Sequence, residues 1–327
     1  MDLKINWFIP VEHRDYNHMP ASVWIRCLQL IPYLQKHGIR CRINDPEAGA
    51  DIAVFVRWQD DKAYETLRKQ KDKSRKVIFD LCVNYFDETG LFLGGYGTAS
   101  EQVKEALRMV NESDAITCAS AFIAKRASNF HNNVFYLPDS VDRRHFSLTK
   151  SNRDFTRSAP RAVWSGVASK AIELNGLGAM LGQRKIPLII ISERPPDLQY
   201  PYSFVRWSYR LFPKSILQGD LCISPRRTDN PYDLGHSIFK IGVFLAQGVP
   251  ALAAPIPSYI ELLGDGQCGQ ICASQEEWSD VLDRVLANRK LLEEWSLAGR
   301  ARMQKYATVY VAEQYIQLFQ KLMDVSR

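Results

Sequence analysis

Long apolar runs are absent from this sequence of 327 residues. A helix that crosses a bilayer needs about 20 consecutive apolar residues, and the richest apolar run here, at residues 186–191, is only long enough for a strand. The first residues, MDLKINWFIP, have too short an apolar stretch before the proline for a secretory signal peptide. We therefore expect a cytoplasmic protein whose membrane contact, if it has one, is peripheral.

Cysteine and metal-ligand patterns are also sparse. The seven cysteines are an odd and scattered set, which excludes a regular disulfide framework. Cys268 and Cys272 lie close together, but no second Cys or His pair accompanies them as a zinc site requires. No HExxH motif and no Ser-His-Asp arrangement is apparent. We expect buried thiols and neither a bound metal nor an organic cofactor.

Positive charge is in moderate excess and is concentrated in two segments. The formal net charge is +6, from 42 basic and 36 acidic residues. Residues 62–76 hold seven basic and two acidic side chains, and residues 150–214 hold eleven and four. This excess fits a solvated surface, an anionic ligand or an anionic membrane surface. Nucleic acid is not expected as a partner, because no RNP-type, zinc-finger or helix-turn-helix pattern is present.

Strand-like and helix-like segments alternate along the chain, which is typical of βαβ units and a parallel sheet. The predicted strands are residues 4–10, 39–43, 52–56, 76–81, 115–118, 133–137, 162–164, 187–191, 203–205, 221–224, 250–253 and 269–272. The longer predicted helices are residues 21–37, 62–70, 102–110, 121–130, 170–181, 209–217, 275–288, 289–306 and 310–323. A polar linker is predicted at residues 142–161. The sequence thus predicts an α/β chain with two Rossmann-like domains, 1–150 and 151–305, that face a cleft. A helix at 306–327 is expected to cross back to the first domain.

The segment at residues 219–263 reads as strand, polar loop, helix, short strand, proline-rich loop and helix. Its loop ends in Gly235, His236 and Ser237, where an amphipathic helix is predicted to begin. A helix start offers unpaired N–H groups to an anion such as a phosphate, and Lys240 one turn in adds a full charge. The alternative is a lysine that is merely solvated. Because ligands of parallel sheets bind at the carboxyl ends of strands, a position in the cleft favours the anion site.

Three segments resemble those of the GT-B glycosyltransferases of the GT4-like group (glycosyl transferases group 1). Residues 219–263 are similar to the family's strand, polar loop, Gly-x-Ser-x-Phe-Lys and Ala-x-Gly-x-Pro turn. The stretch CGQICASQEEWSDVLDRVL resembles the strand and helix that follow, and SDAITCASAFIAKRASNFHNNVFYLPDSVDRRHF resembles the exit from the family's first domain. The resemblance implies transfer of a sugar from a nucleotide-diphosphate donor to an acceptor hydroxyl, without a bound metal.

The resemblance also implies roles for particular residues. The second domain would bind the nucleotide sugar, and the first would hold a glycan or another hydroxyl acceptor, for which a lipid-linked compound is one candidate. Lys240 and the turn of Gly235, His236 and Ser237 would contact the donor diphosphate. Gly166 matches the family's glycine at the cleft floor, where the lack of a side chain lets a ligand approach closely.

The sequence departs from the family pattern at several positions. The family's Glu that contacts the ribose falls on Val243, and its first Glu falls near Gly235 or His236. The Arg expected after the cleft-floor glycine is Val167, for which Lys170 is a candidate substitute. These departures leave room for an inactive relative.

Two further donor contacts are predicted, each with an alternative. Arg226 lies in the loop before the predicted helix and could bind phosphate or simply be solvated. Glu261 follows the proline-rich loop, where the family often has a Glu near the nucleotide, but as a helix residue it could face water.

Candidates for a catalytic base come from the first domain. The loop at residues 11–20 leaves the first predicted strand at its carboxyl end, and its His13 or Asp15 could take the acceptor proton if the reaction inverts. Asp80 ends another strand and should also face the cleft, although it could instead cap a turn. The glycine-rich residues 90–97 are read as a loop over the acceptor and not as a dinucleotide site.

Two other functions compete with glycosyl transfer. A non-catalytic relative that binds a nucleotide or glycan is favoured by the missing carboxylate at Val243. A nucleotide-sugar epimerase could use the same architecture. Assays of transfer, binding and epimerisation across nucleotide sugars separate the three.

Overall fold

A computed structural model describes residues 3–10, 15–90, 98–150 and 159–324. Two six-stranded sheets dominate the fold, and every pairing between their strands is parallel. The first sheet has the order β2-β1-β3-β4-β5-β6 and the second has the order β12-β11-β10-β7-β8-β9. Each order is that of a doubly wound sheet, in which the connections switch direction at one strand.

The strands run as expected from the apolar segments of the sequence. They are β1 Lys4–Phe8, β2 Arg40–Ile43, β3 Ile52–Val56, β4 Lys76–Leu81, β5 Ala115–Cys118, β6 Val134–Tyr136, β7 Ala162–Ser165, β8 Leu188–Ser192, β9 Ser203–Arg206, β10 Leu221–Ser224, β11 Ala251–Ala253 and β12 Gly269–Ile271. All twelve agree with the predicted bounds within two residues. Central strands such as β3 and β10 are buried along their whole length, because helices cover both faces of a parallel sheet.

The helices connect and cover the strands. They are α1 Ala21–Val23, α2 Ile31–Lys36, α3 Asp61–Asp72, α4 Ser100–Glu112, α5 Ala121–Ala127, α6 Asn175–Gln183, α7 Phe212–Ile216, α8 Pro231–Leu234, α9 Phe239–Ala246, α10 Pro257–Leu263, α11 Gln275–Ala287, α12 Lys290–Arg302 and α13 Thr308–Asp324. None of the helices in the described part of the chain combines the length and apolarity that crossing a bilayer requires. All seven cysteines are free thiols and six of them are buried.

Two predicted helices are interrupted where they face the interior. The helix expected at residues 21–37 contains a π-helical turn at Trp24–Leu28, which turns Arg26 into the core. The helix expected at 170–181 begins as a 3-10 segment, Ala168–Leu174, before α6. Departures of this kind often mark functional positions, and both segments contribute to the clusters described below.

The chain crosses between the domains twice, and the two crossings pair with each other. The N–H of Val141 donates to the Tyr306 carbonyl at 2.9 Å, and the N–H of Thr308 donates to the Val141 carbonyl at 3.2 Å. Val141 and Phe146 pack in the core of the second domain, so this first crossing precedes most of the polar segment at 142–161. Residues 151–158 of that segment lie outside the described residues.

Helix α13 packs on the core of the first domain, although it follows the second domain in sequence. Tyr315 and Phe319 contact Trp7 of β1, with ring centroids 5.9 and 6.5 Å from the Trp7 ring. Val311, Ala312, Tyr315, Leu318, Phe319 and Leu322 belong to the same buried cluster as β1 and α2.

Candidate functional site

The loop after β10 folds differently from the single helix start that the sequence suggests. Asn230 caps the short helix α8, accepting hydrogen bonds from the N–H groups of Tyr232 at 2.8 Å and Asp233 at 3.3 Å. Helix α9 begins only at Phe239, and most of its residues are buried, so it is a core helix and not an amphipathic one. Lys240 is therefore the second residue of α9 and lies at its start.

Lys240 rests on an aromatic ring and forms no salt bridge with a described residue. Its Nζ lies 4.6 Å from the centroid of the Trp164 ring, at the end of β7. Gly166 is required beside this ring, because a Cβ there would come within 2.7 Å of the Trp164 ring atoms. Burial, and then the charge of Arg226, lower the pKa of Lys240 to about 7. An anion close to Lys240 would favour its charged form.

Arg226 is the centre of a buried group with two carboxylates. Its Nη1 lies 2.9 Å from Glu173 Oε1 and 3.4 Å from Asp233 Oδ1, and all three side chains are at least 95% buried. Glu173 Oε2 and Asp233 Oδ2 have no hydrogen-bond partner among the described residues. Burial raises the pKa of Asp233. Unpartnered buried oxygens of this kind are costly, and they are unusual outside sites that bind a ligand or water.

Lys170 and His236 complete the group. Lys170 Nζ lies 3.5 Å from His236 Nε2 and 4.8 Å from the centroid of the Tyr232 ring. Burial, followed by the charge of Arg226, lowers the pKa of Lys170 to about 8. Burial also lowers the pKa of His236 well below its ordinary value. The neutral imidazole donates from Nδ1 to the Tyr232 carbonyl at 3.0 Å, which leaves Nε2 as an acceptor toward Lys170.

We call Lys170, Arg226, His236 and Lys240 the basic cluster. It lies beyond the carboxyl ends of β7 and β10, where ligands of parallel sheets bind. With His236 neutral and both lysines protonated, the three cations outnumber the two carboxylates that contact Arg226 by one charge. The cluster can therefore accept an anionic ligand, and a diphosphate with its several acceptor oxygens fits these donors.

The first domain contacts the segment at residues 231–237 directly. Asn84 Nδ2 donates to the Pro231 carbonyl at 3.1 Å, and Ser120 Oγ donates to the Gly235 carbonyl at 3.0 Å. A Cβ on Gly235 would come within 2.8 Å of the Asn84 Cβ. Gly235 thus permits the close approach of the two domains, a role that differs from the predicted contact with a diphosphate.

Ser237 is also held by the first domain. Its hydroxyl donates to Asp139 Oδ2 at 2.5 Å and accepts from the N–H of Phe239 at 3.3 Å. Ser237 is predicted to contact the nucleotide-sugar donor, but in this conformation its hydroxyl is bound to the Asp139 carboxylate instead. Sequence reasoning missed Asp139, and it missed Trp164 and Glu173, because no local pattern marks them as partners of the loop after β10.

Asp80 does not face the cleft as expected from the sequence. It is fully buried, and its two oxygens accept from Arg26 Nε at 2.9 Å and Nη2 at 2.8 Å. Its Oδ2 also accepts from Thr117 Oγ1 at 2.6 Å and from Tyr315 Oη at 2.8 Å. Full burial and the ion pair with Arg26 keep this carboxylate away from a substrate, so the geometry gives Asp80 a structural position instead of that of a base.

The other first-domain candidate that the structure describes is Asp15. It is exposed, and it accepts from the N–H of Asn17 at 2.9 Å and lies 2.6 Å from His18 Nδ1. These hydrogen bonds, that of Asn17 first, lower the pKa of Asp15. The predicted His13 and most of the glycine-rich residues 90–97 lie outside the described residues.

Glu261 bridges the domains and is half-buried. Its carboxylate accepts from Tyr136 Oη of the first domain at 2.9 and 3.0 Å and from Tyr306 Oη at 2.6 Å. The sequence predicts a role for Glu261 near the nucleotide, but among the described residues Glu261 makes no contact with the basic cluster.

Within the described ranges, no group of three or more His, Cys, Asp and Glu side chains is placed to hold a metal ion.

The basic segment at residues 62–76 is partly neutralised, because several of its cations lie against carboxylates. These pairs are Arg68 with Glu112, Lys71 with Asp114 and Lys73 with Glu47.

No protein-family model matches the chain, and none of the curated proteins matches it. Solved structures match its fold. The sucrose-phosphate synthase of Thermosynechococcus elongatus is 12% identical with a TM-score of 0.67, over 99% of this chain and 100% of that chain. HepE of Anabaena, solved in complex with UDP-glucose, is 13% identical with a TM-score of 0.67, over 98% and 100%. A protein of Listeria monocytogenes described as a UDP-N-acetylglucosamine 2-epimerase is 8% identical with a TM-score of 0.59, over 99% and 97%.

These likenesses extend over both domains and agree with the two parallel sheets and the returning C-terminal helix. At this level of identity they establish the architecture, and the architecture is the one that the glycosyltransferases among them share. The chain has the GT-B fold.

Proposed function

We propose that the protein is a glycosyltransferase that moves a sugar from a nucleotide-diphosphate donor to an acceptor hydroxyl. The observation that carries the proposal is the basic cluster, which combines two lysines of lowered pKa with Arg226 at the carboxyl ends of second-domain strands. The UDP-glucose complex of HepE, a structural neighbour, agrees with a nucleotide sugar as the ligand. The GT4-like pattern around Lys240 supports the same assignment.

The chemistry requires charge stabilisation at the leaving group. The bond from the anomeric carbon to the diphosphate oxygen breaks, and negative charge grows on the diphosphate as the acceptor oxygen attacks. Lys240 and Lys170 supply positive charge where it develops. We further propose that these side chains do this without a metal ion.

Neutral His236 and the two lysines of lowered pKa suit reversible binding of the nucleotide diphosphate that the reaction releases. A lysine with a pKa of about 7 takes up a proton as the anion binds, so its full charge is present mainly in the complex. If the reaction inverts, the acceptor proton goes to a base on the first-domain side. Asp15 remains the described candidate for this base, because Asp80 is fully buried and paired with Arg26.

Binding of UDP, GDP and TDP and of their glucose conjugates tests the proposal, with thermal shift and calorimetry as readouts. A ligand at 100 times its dissociation constant raises the free energy of unfolding by about 2.7 kcal/mol, which is easily measured. We expect one nucleotide series to bind, and Lys240→Ala to weaken that binding. Lys290→Ala, at an exposed lysine of α12, is the matched control and should leave binding unchanged.

Activity then separates the competing functions. Transfer to an added glycan acceptor supports the glycosyltransferase. Epimerised sugar without transfer would identify an epimerase, and binding without turnover across acceptors would indicate a non-catalytic relative. If no nucleotide binds, or if Lys240→Ala binds like the wild type, the basic cluster is not a donor site.

A further inference from the structure

One hydrogen bond joins the two domains directly at the start of α9. Ser237 Oγ, two residues before that helix, donates to Asp139 Oδ2 at 2.5 Å. Asp139 is 5% exposed and follows β6 of the first domain, so a buried carboxylate of one domain fixes the turn of the other. Hydrogen bonds to a carboxylate are stronger and better oriented than neutral ones.

Asp139 is itself fixed from behind. Arg26 Nη1 donates to Asp139 Oδ1 at 3.2 Å and to the Leu137 carbonyl, and the same guanidinium is paired with Asp80 through two hydrogen bonds. The two oxygens of Asp139 therefore have separate tasks, since Oδ1 accepts from Arg26 and Oδ2 accepts from Ser237. A buried carboxylate held in this way has little rotational freedom, and neither has the hydroxyl that it orients.

The turn that Ser237 occupies places two members of the basic cluster. His236 immediately precedes Ser237, and Lys240 follows it by three residues on the first turn of α9. The N-cap residue of α9 is Ile238, whose apolar side chain cannot accept a hydrogen bond from the helix. The Ser237 hydroxyl also accepts a hydrogen bond from the Phe239 N–H, so this one hydroxyl links Asp139 to the first N–H of the helix.

We propose that Asp139 is a positioning residue for the anion site. Through Ser237 it fixes the turn before α9, and with it His236 and Lys240, so that nucleotide affinity depends on contact between the domains. The inference rests on the proposed function, because it takes a nucleotide diphosphate as the ligand of the basic cluster. A movement of Ser237 away from Asp139 would loosen the site even though no group that touches the ligand is changed.

A double-mutant cycle in UDP binding tests this role, measured by calorimetry well below each variant's melting temperature. Ser237→Ala removes the hydroxyl and is expected to weaken UDP binding about tenfold, as for the loss of one hydrogen bond to a charged group. Ser237→Thr keeps the hydroxyl and should restore binding. Ser279→Ala is the matched control, since Ser279 also bonds a charged side chain, that of Arg184, on the outer helix α11.

The second arm of the cycle is Asp139→Ala, with Asp139→Asn as the alternative if the alanine variant does not fold, because an amide keeps one acceptor oxygen for Arg26. We expect Asp139→Ala to weaken UDP binding as much as Ser237→Ala does, and the double variant to be no weaker than either. If the two losses multiply instead, Ser237 contacts the ligand directly and the positioning role is wrong.

The outcomes also separate this inference from the proposed function. If the wild type binds neither UDP nor GDP nor TDP, the proposed function fails. If one of them binds, the cycle is run with that nucleotide. Equal affinity of the wild type and Ser237→Ala would then overturn the positioning inference alone.

Discussion

Two groups of buried charges lie within the same molecule and differ in how completely they are satisfied. In the first domain, the carboxylate of Asp80 receives four hydrogen bonds and Arg26 is paired with two carboxylates. In the basic cluster of the second domain, Lys240 lies over the Trp164 ring without a salt bridge to a described residue, and carboxylate oxygens of Glu173 and Asp233 have no described hydrogen-bond partner.

The difference indicates what each group does. A satisfied network in a low-dielectric interior contributes to a unique fold, and removing one member leaves an uncompensated charge. A lysine such as Lys240, whose charged form is disfavoured by burial, carries a cost in the free protein that an anionic ligand can relieve. The same kind of substitution, a cation replaced by methionine, is therefore expected to have opposite effects in the two groups.

The largest effect is expected for Arg26→Met. This variant leaves Asp80 and Asp139 buried without their cation, which should lower the free energy of unfolding by about 3–5 kcal/mol. Denaturant unfolding followed by tryptophan fluorescence measures it. Arg184→Met is the control, since its pair with the exposed Asp283 should contribute at most about 1 kcal/mol. A loss below that of the control would show that the first-domain network is not structural.

Lys240→Met should have the opposite profile. Burial lowers the pKa of Lys240 to about 7, so the unfolded chain binds this proton more tightly and the charged lysine costs stability at neutral pH. Without a ligand, Lys240→Met should therefore be at least as stable as the wild type. Nucleotide affinity should fall by about 10- to 100-fold, the range for lost hydrogen bonds to a charged group. If Lys240→Met instead lowered the free energy of unfolding and left nucleotide affinity unchanged, Lys240 would be a structural residue like those of the first-domain network.

The pH dependence of binding is the next test. In the free protein the pKa of Lys240 is about 7 and that of Lys170 about 8, and a bound anion raises both. Affinity should be full below pH 7 and should fall as pH rises from about 7 to 9. Calorimetry with the UDP-sugar, whose diphosphate diester does not titrate in this range, measures it. A flat profile for the wild type would exclude the lysines from the site, whereas Lys240→Met should flatten it in part.

The strands and the position of the basic cluster could be predicted because they depend on local signals. Buried parallel strands are continuous apolar runs, and Lys240 and His236 follow the strand β10 closely in sequence. The roles of acidic residues could not be predicted in this way. Asp80 ends a strand just as a catalytic carboxylate would, and only its partner Arg26, 54 residues away in sequence, shows that it is structural.

The same limit applies to the turn before α9. The pattern Gly-His-Ser-x-Phe-Lys predicted donor contacts for Gly235, His236, Ser237 and Lys240, yet Gly235 and Ser237 are engaged by Ser120 and Asp139 of the other domain. Contacts between domains depend on how two separately folded sheets come together. No spacing within either half encodes that arrangement, so a sequence pattern alone assigns these groups to the ligand.

The smallest predicted effect concerns Glu261, which could belong to either kind of group. Its carboxylate accepts from Tyr136 and Tyr306, as a structural residue would. Tyr136→Phe removes one donor and should lower the free energy of unfolding by about 1 kcal/mol. Nucleotide affinity should stay unchanged, because the variant keeps the hydrogen bond from Tyr306 to Glu261 and does not alter the basic cluster. Calorimetry on this variant decides the matter, since a changed affinity for UDP would place Glu261 with the ligand-binding residues, as the sequence pattern suggested.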